Sequence, residues 1–151
     1  METILSILKH NRKVYAHFLD RFSLEELNTI PKGFNNNIIW NIAHVVVTQQ
    51  LLMYKLSGLP LHVSEEMVER YRKGTKPEGE VGQKEVDEIK SALFDTYEAL
   101  KEDFAQDKFK NFHPYTTSSK MDLTTFEEAS SFVLFHDGIH IGSVLALARC
   151  L

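Results

Sequence analysis

Two histidines four residues apart, His136 and His140, have the residue type and spacing to do chemistry. They lie in the stretch FHDGIHIGSV, with the apolar runs FVLF and VLALA on either side. In a helix, residues four apart lie on the same face, about 6 Å apart along the axis. That spacing lets two imidazoles bind one metal ion, as they do in HExxH helices.

A third histidine, His44, lies on an earlier apolar segment, four residues after Trp40. We expect His44, His136 and His140 to converge in the core, since facing helices of a bundle build metal sites from inward side chains. Three protein ligands leave one position open for water or substrate, which is the pattern of a catalytic zinc site. Imidazoles select weakly among first-row metals, so zinc, nickel and similar divalent ions are all compatible.

Two other interpretations of the three histidines stay open from the residues alone. They could be core residues of a non-catalytic, dimeric helical module that serves as a scaffold or binds a small molecule. They could also form a metal-free, pH-sensing cluster that titrates below neutral pH. A buried imidazole nitrogen needs a polar partner, and a shared metal ion would satisfy three rings at once. Metal binding is therefore the leading hypothesis.

Several neighbours of the histidines are candidates for the surroundings of the metal. Trp40 could form an apolar wall of the cavity, and Asn11 could face the same cavity from the first helix. A buried hydrogen bond to a helix end explains Asn11 equally well. Asp137 lies about 100° round the helix from the preceding histidine, so it could orient a ligand imidazole or lie on the helix surface. Gly138 and Gly142 indicate close backbone packing or room for a ligand.

The elements that must position these residues are long helices, because apolar residues recur at three- and four-residue steps. The pattern predicts helices over residues 2–22, 35–58 and roughly 81–106, and from 124 almost to Leu151. A short helix is expected at 64–72, within a long connection at 59–80 that could cross the end of a bundle. We therefore predict an all-α fold, a four-helix bundle, in a single domain over residues 1–151.

Three helix starts carry cap signals. Ser23–Glu26 and Thr124–Glu127 match the capping-box pattern, in which a hydroxyl and a carboxylate each satisfy a free backbone N–H. Asn35–Asn37 supply candidate N-caps for the second long helix. Residues 107–123, rich in polar and turn-forming side chains, are predicted to form a loop.

Composition narrows the class of function. The chain has 151 residues, 43% hydrophobic and 25% charged, as is typical of a globular domain. Its net charge of −4 and the lack of a long basic cluster argue against nucleic-acid binding. No run of about 18 consecutive apolar residues and no signal-peptide pattern is visible, so we expect no membrane span. The single cysteine, Cys150, fits a reducing cytoplasm, which is the expected location.

Three stretches, in this order, resemble the DinB/YfiT-like superfamily of metal-dependent enzymes: WNIAHVV at 40–46, YRKGTKP at 71–77 and HDGIHIGSV at 136–144. Their order and separation carry the resemblance, which covers nearly the whole chain. It implies an up-down-down-up four-helix bundle with a long crossover loop after the second helix, usually as a homodimer. It also implies a divalent metal bound by the equivalents of His44, His136 and His140.

Characterised proteins of this kind include transferases and isomerases that use low-molecular-weight thiols such as bacillithiol or mycothiol. The resemblance thus implies a metal-dependent enzyme, a thiol S-transferase or a hydrolase, with a small-molecule substrate and a low-molecular-weight thiol as a candidate cofactor. The family pattern often has Gln where this chain has Ser143. That departure concerns substrate contacts or packing and leaves the three metal ligands unchanged.

Overall fold

A computed structural model describes the whole chain, residues 1–151, and shows a mostly helical, all-α fold with one small sheet. The helices are α1 (Glu2–Arg21), α2 (Leu24–Asn28), α3 (Ile38–Gln49), α4 (Glu65–Tyr71), α5 (Gln83–Ala105) and α6 (Phe126–Ala148). After α3 the chain continues as a π-helix, Gln50–Tyr54, and a 3₁₀-helix, Lys55–Ser57. Strands β1 (Tyr115–Thr116) and β2 (Asp122–Leu123) pair antiparallel. The four long helical segments and the short helix at 64–72 are where the apolar period predicts them.

Side-chain caps fix the helix starts. Ser23 and Glu26 form the predicted capping box, and the side chain of Asn37 accepts a 2.9 Å hydrogen bond from the backbone N–H of Trp40. The capping-box prediction for α6 is wrong by one residue, because the box is formed by Thr125 and Glu128. The carboxylate of Glu128 lies three positions after Thr125, which is where it can reach back to the free N–H of the cap residue.

The core lies where the four long segments meet. α3 packs against α5 and α6, and α1 packs against the same two helices. Every residue of α3 from Ile38 to Val47 is buried, and burial of each large apolar side chain contributes roughly 1.5–3 kcal/mol. The apolar stripe of α5 is buried along most of its length, and its last residue, Phe104, is half-buried; the buried residues are Val86, Ile89, Leu93, Tyr97 and Leu100. α3 is therefore the central helix, and side chains that project from it are held firmly.

α6 has a buried face and an exposed apolar face. It packs on α1 and α3, yet Phe135, Ile139 and Leu145 on its other side are 58%, 50% and 46% exposed. By length and composition alone α6 could cross a membrane, since its most apolar 18-residue window has a mean hydropathy of 1.4. This is weak evidence, because core helices of soluble proteins pass the same test. The window contains no unbroken run of about 18 apolar residues, so the sequence pattern alone predicted no membrane span.

The segment predicted to be a loop, residues 107–123, contains the small β1–β2 hairpin. The side chain of Thr116 donates a 2.6 Å hydrogen bond to Asp122 across the hairpin, and Thr117 and Leu123 are buried. The backbone N–H of His113 also donates to the carbonyl oxygen of Leu56 at 2.6 Å. These contacts hold the hairpin beside the end of the 3₁₀-helix and against the cavity described below.

Candidate metal centre

The three histidines selected from the sequence lie together between α3 and α6. The nitrogen atoms with which His44, His136 and His140 could bind a metal all lie within 4.8 Å of one another. The ring centroids of His136 and His140 are 4.4 Å apart, and those of His44 lie 5.1 and 4.8 Å from them. The predicted convergence of the three side chains is confirmed.

His44 is held by a stacking contact on one face of its ring and by a hydrogen bond at one nitrogen. Its Nδ1 donates a 2.6 Å hydrogen bond to the backbone carbonyl of Tyr71, the last residue of α4. A carbonyl oxygen only accepts, so the proton of the neutral ring lies on Nδ1 and the lone pair on Nε2. Thr48 lies 3.3 Å from that Nε2, a long contact that a bound ion would replace. The ring of Trp40 stacks on the imidazole at 4.7 Å.

His140 is oriented in the same way by a buried amide. Its Nδ1 lies 2.8 Å from Oδ1 of Asn41, while Nδ2 of Asn41 donates to the carbonyl of Asn37 at 2.8 Å. The amide nitrogen is thereby committed, so Oδ1 accepts and Nδ1 of His140 donates. Metal-binding histidines characteristically donate their second ring N–H to such an oxygen. Asn41 was missed in the sequence, although an amide within the apolar run WNIAHVV is the kind of signal that marks it.

His136 differs from the other two because its Nδ1 is buried without a hydrogen-bond partner. Buried polar atoms in folded proteins are nearly always paired, and an unpaired one is costly. No carboxylate or amide of the chain bonds to this ring. An ion bound through Nδ1 would satisfy this atom, whereas an ion bound through Nε2 would leave it unpaired.

Burial keeps the three rings neutral. Burial, with smaller contributions from the nearby His140, His44 and Arg12, lowers the pKa of His136 to about 3. Burial, with a contribution from His44, lowers the pKa of His140 to about 4. Burial also lowers the pKa of His44, against the opposing effect of its hydrogen bond to Tyr71. Neutral imidazole is the form that binds metal ions, so at neutral pH all three rings are in the ligand form.

The donor set fits one divalent ion. Three neutral imidazoles with no thiolate or carboxylate suit zinc, nickel and related metals. Zinc–nitrogen bonds of about 2.0–2.1 Å at tetrahedral angles place ligand nitrogens about 3.3 Å apart. The widest separation in the cluster, 4.8 Å, therefore requires a side-chain adjustment on the order of 1 Å. The residues can hold such an ion and leave one coordination position free.

A buried ion pair lies behind the histidines and joins α6 to α1. Oδ2 of Asp137 accepts a 3.3 Å hydrogen bond from Asn11 and lies 3.5 Å from Nη1 of Arg12. Arg12 also donates to the side-chain oxygen of Gln49 at 3.0 Å, and Tyr15 donates to the backbone carbonyl of Asp137 at 2.7 Å. Arg12 and Asp137 are fully buried. The surface position that the sequence left open for Asp137 is thereby excluded.

The structure places the candidate neighbours behind or beside the cluster. Asp137 makes no hydrogen bond to a histidine; its contacts join α6 to α1. Asn11 bonds to that carboxylate and does not line the cavity, which corrects its expected place on the cavity wall. Trp40 does not line this cavity either; it covers His44 and donates from Nε1 to Thr75 at 3.2 Å. Arg12 was missed, because an arginine within HNRK resembles an ordinary surface charge.

The two glycines of α6 have no packing role within the chain. A Cβ atom added at Gly138 or Gly142 would meet no atom within 4 Å. Both glycines are exposed, and neither lines the cavity. The expected close packing or ligand space is thus not found inside one copy of the protein.

A cavity of about 600 Å³ opens in front of the three histidines. Its walls come from α3, the π-helix and the 3₁₀-helix after it, the segment after α4, the β1–β2 hairpin and α6. Leu51 and Phe132 are among the apolar side chains of the wall, Thr48 and Tyr115 carry hydroxyls, and Lys55 is one of two lysines. The histidines therefore face a space that can hold a small molecule.

Comparison with known proteins agrees with this arrangement. A search of curated proteins finds no match to the chain. The model of the DinB superfamily matches residues 7–144, a range that contains the three histidines and the buried ion pair behind them. The match extends over nearly all of the helical fold. The chain therefore belongs to the DinB superfamily.

Proposed function

We propose that this protein is a metal-dependent enzyme whose divalent ion is bound by His44, His136 and His140. The observation that carries the proposal is that the three imidazole rings already have the protonation state and arrangement of metal ligands. They are neutral, they converge, and two of them already donate Nδ1–H to oxygen acceptors. A core histidine with a purely structural role needs no such convergence with two others. Membership of the DinB superfamily agrees with the proposal.

The chain's own residues position the site. The carbonyl of Tyr71 and the amide of Asn41 hold two rings, and Trp40 covers the back of one of them. Apolar side chains of the cavity, Leu51 and Phe132 among them, reduce the access of water. When bound, the ion would supply Lewis-acid chemistry by lowering the pKa of a thiol or a water in the open position.

We propose thiol transfer ahead of hydrolysis as the reaction. The cavity is lined by no aspartate or glutamate that could act as a general base for water. A free thiol has a pKa of about 8.5, whereas that of water is about 15.7, so a thiol requires far less help to ionise. The proposed substrates are a low-molecular-weight thiol and a small electrophile, for which a cavity of about 600 Å³ has room.

We also propose that the four long helices form one up-down-down-up bundle domain that assembles as a homodimer through α6. Phe135, Ile139 and Leu145 are exposed on one side of α6, and Gly138 and Gly142 lie on the same side with open space above them. An apolar face with two glycines one turn apart permits the close approach of a second helix. A second copy of α6 supplies one.

Metal content tests the central proposal. Protein prepared without a polyhistidine tag should contain about one divalent ion per chain by elemental analysis, directly or after addition of Zn²⁺ or Ni²⁺. His140→Ala should lose the ion, while the matched control His10→Ala, on the exposed side of α1, should retain it. A stoichiometry far below one that neither metal restores would exclude the proposal.

The reaction class is tested on the metal-loaded protein. Conjugation of small thiols to 1-chloro-2,4-dinitrobenzene should be accelerated, and EDTA or His140→Ala should abolish the acceleration. Hydrolysis of activated esters that does not depend on a thiol would instead identify the protein as a hydrolase. Thermal stability that responds to neither EDTA nor metal, together with no activity, would instead favour a non-catalytic module.

A further inference from the structure

The cavity in front of the histidines has a charge opposite to that of the protein. The chain carries 21 acidic and 17 basic residues, yet the charged side chains that line the cavity, apart from the histidines, are Lys55 and Lys73. No acidic residue lines it. A small molecule in this cavity therefore meets two positive charges and no negative one.

Neither lysine is neutralised by the protein. Five other lysines form ion pairs with carboxylates, namely Lys84, Lys90, Lys101, Lys108 and Lys110. Lys55 and Lys73 form no ion pair and no side-chain hydrogen bond, and both are exposed. Their ammonium groups are thus available to a ligand, and the apolar wall beside them weakens the screening of their charge by water.

The backbone of both lysines is tied to the metal-binding residues. Lys73 lies two residues after Tyr71, whose carbonyl accepts the hydrogen bond of His44. Lys55 begins the 3₁₀-helix that continues the helical segment carrying His44, directly after the π-helix. The two charges therefore come from separate elements, each connected to the same imidazole, and they flank one cavity.

We propose that the cavity selects an anionic small molecule, with its carboxylate or phosphate between Lys55 and Lys73 and its reacting end at the histidines. The aliphatic part of the molecule packs on the apolar wall that includes Leu52, Leu56 and Ile139. This inference rests on the proposed function, since it assigns the substrate class of the same site. Carboxylate and phosphate share the chemistry that two ammonium groups recognise, and the experiment separates them.

The test uses three thiol probes of equal chain length on the zinc-loaded protein. 6-Mercaptohexanoate, 6-mercaptohexyl phosphate and the neutral 6-mercaptohexanol are compared by isothermal titration calorimetry. We expect at least one anionic probe to bind about tenfold more tightly than the alcohol, as two partly screened charge pairs allow. The tighter of the two anions identifies the group that the site prefers.

Variants assign the preference to the lysines. Lys55→Gln/Lys73→Gln should reduce the anionic advantage to less than about twofold and leave the affinity for the alcohol unchanged. Lys32→Gln, an exposed lysine away from the cavity, should change neither. Circular dichroism and elemental analysis check that the double variant is folded and holds its metal.

Equal affinity for the anions and the alcohol, or an anionic advantage that survives in the double variant, overturns the inference. Neither result would change the measured metal content of one ion per chain. Failure of the anion site is therefore distinguishable from failure of the metal site. If the protein retains no metal, hexanoate and hexanol are compared on the metal-free protein. A lysine-dependent preference for hexanoate then supports the anion site alone, and its absence overturns it.

Discussion

Replacement of Arg12 by methionine should destabilise the protein by about 3 kcal/mol, the low end of the range for breaking a buried ion pair. Methionine keeps much of the apolar stem and removes the charge, so Asp137 is left buried with Asn11 as its only side-chain donor. The low end applies because Arg12 and Asp137 are 3.5 Å apart, without a hydrogen bond between them. For a chain of this length the loss corresponds to a fall in Tm of about 6–12 °C.

The sign of the pH dependence follows from Asp137. Burial raises the pKa of this carboxyl, and Arg12 and Asn11 oppose the increase. Loss of Arg12 raises the pKa further above that of the unfolded chain, so the folded variant takes up a proton more readily. Stability is then retained at low pH and lost as the pH rises through the folded pKa. The penalty of Arg12→Met should therefore be larger at pH 8 than at pH 5.5.

Urea denaturation followed by circular dichroism measures these free energies of unfolding in a double-mutant cycle of Arg12→Met and Asp137→Asn. The double variant should be more stable than the sum of the two single losses implies, by about 1 kcal/mol or more. Lys13→Met, on the exposed side of α1, should stay within about 0.5 kcal/mol of the parent. A loss below about 1 kcal/mol for Arg12→Met, or strict additivity, would refute the assigned role of the pair.

Two further predictions concern the histidines and α6. Metal-free protein should lose stability as the pH falls from about 6.5, because the unfolded chain then binds protons that His136 and His140, with folded pKa values of about 3 and 4, do not. The loss at pH 5 should approach about 2 kcal/mol for each histidine, and urea titrations that show a flat profile from pH 7 to 5 would contradict it. Phe135→Glu should convert a dimer into monomers in sedimentation equilibrium, whereas Ser91→Glu, exposed on α5 and away from α6, serves as the matched surface control. An unchanged mass for Phe135→Glu would exclude this face of α6 as the interface.

Local sequence signals were sufficient to predict the helices and the histidine cluster. The i,i+4 spacing of His136 and His140 is a property of one helix, and His44 lies on an apolar stripe with its own strong period. Ser23 and Asn37 cap helices through neighbours three residues away, and such contacts can be inferred from short stretches of sequence. Where the relevant partner is close along the chain, the residue types predict the structure.

The remaining features depend on partners that are distant in sequence. Arg12 and Asp137 are 125 residues apart, and nothing beside Arg12 indicates that it is buried. The β1–β2 hairpin has two-residue strands, too short for an alternating pattern to be visible. Lys55 and Lys73 were not recognised as a pair, since only the fold brings the segment after α4 beside the π-helix. The three converging histidines could thus be selected from the sequence, while the ion pair behind them and the cavity in front of them could not.

Because of the π-helix at Gln50–Tyr54, the number of residues in this segment determines which side chains after it face the cavity. A π turn accommodates one residue more than an α turn, so the chain beyond it is rotated by roughly 100° relative to an uninterrupted α-helix. Lys55 and Leu56 line the cavity from that rotated position. Deletion of one residue here would keep the histidines in place and turn Lys55 away from the cavity. A single-residue gap in this segment of a relative that retains all three histidines would therefore mark a change of ligand with no change of metal.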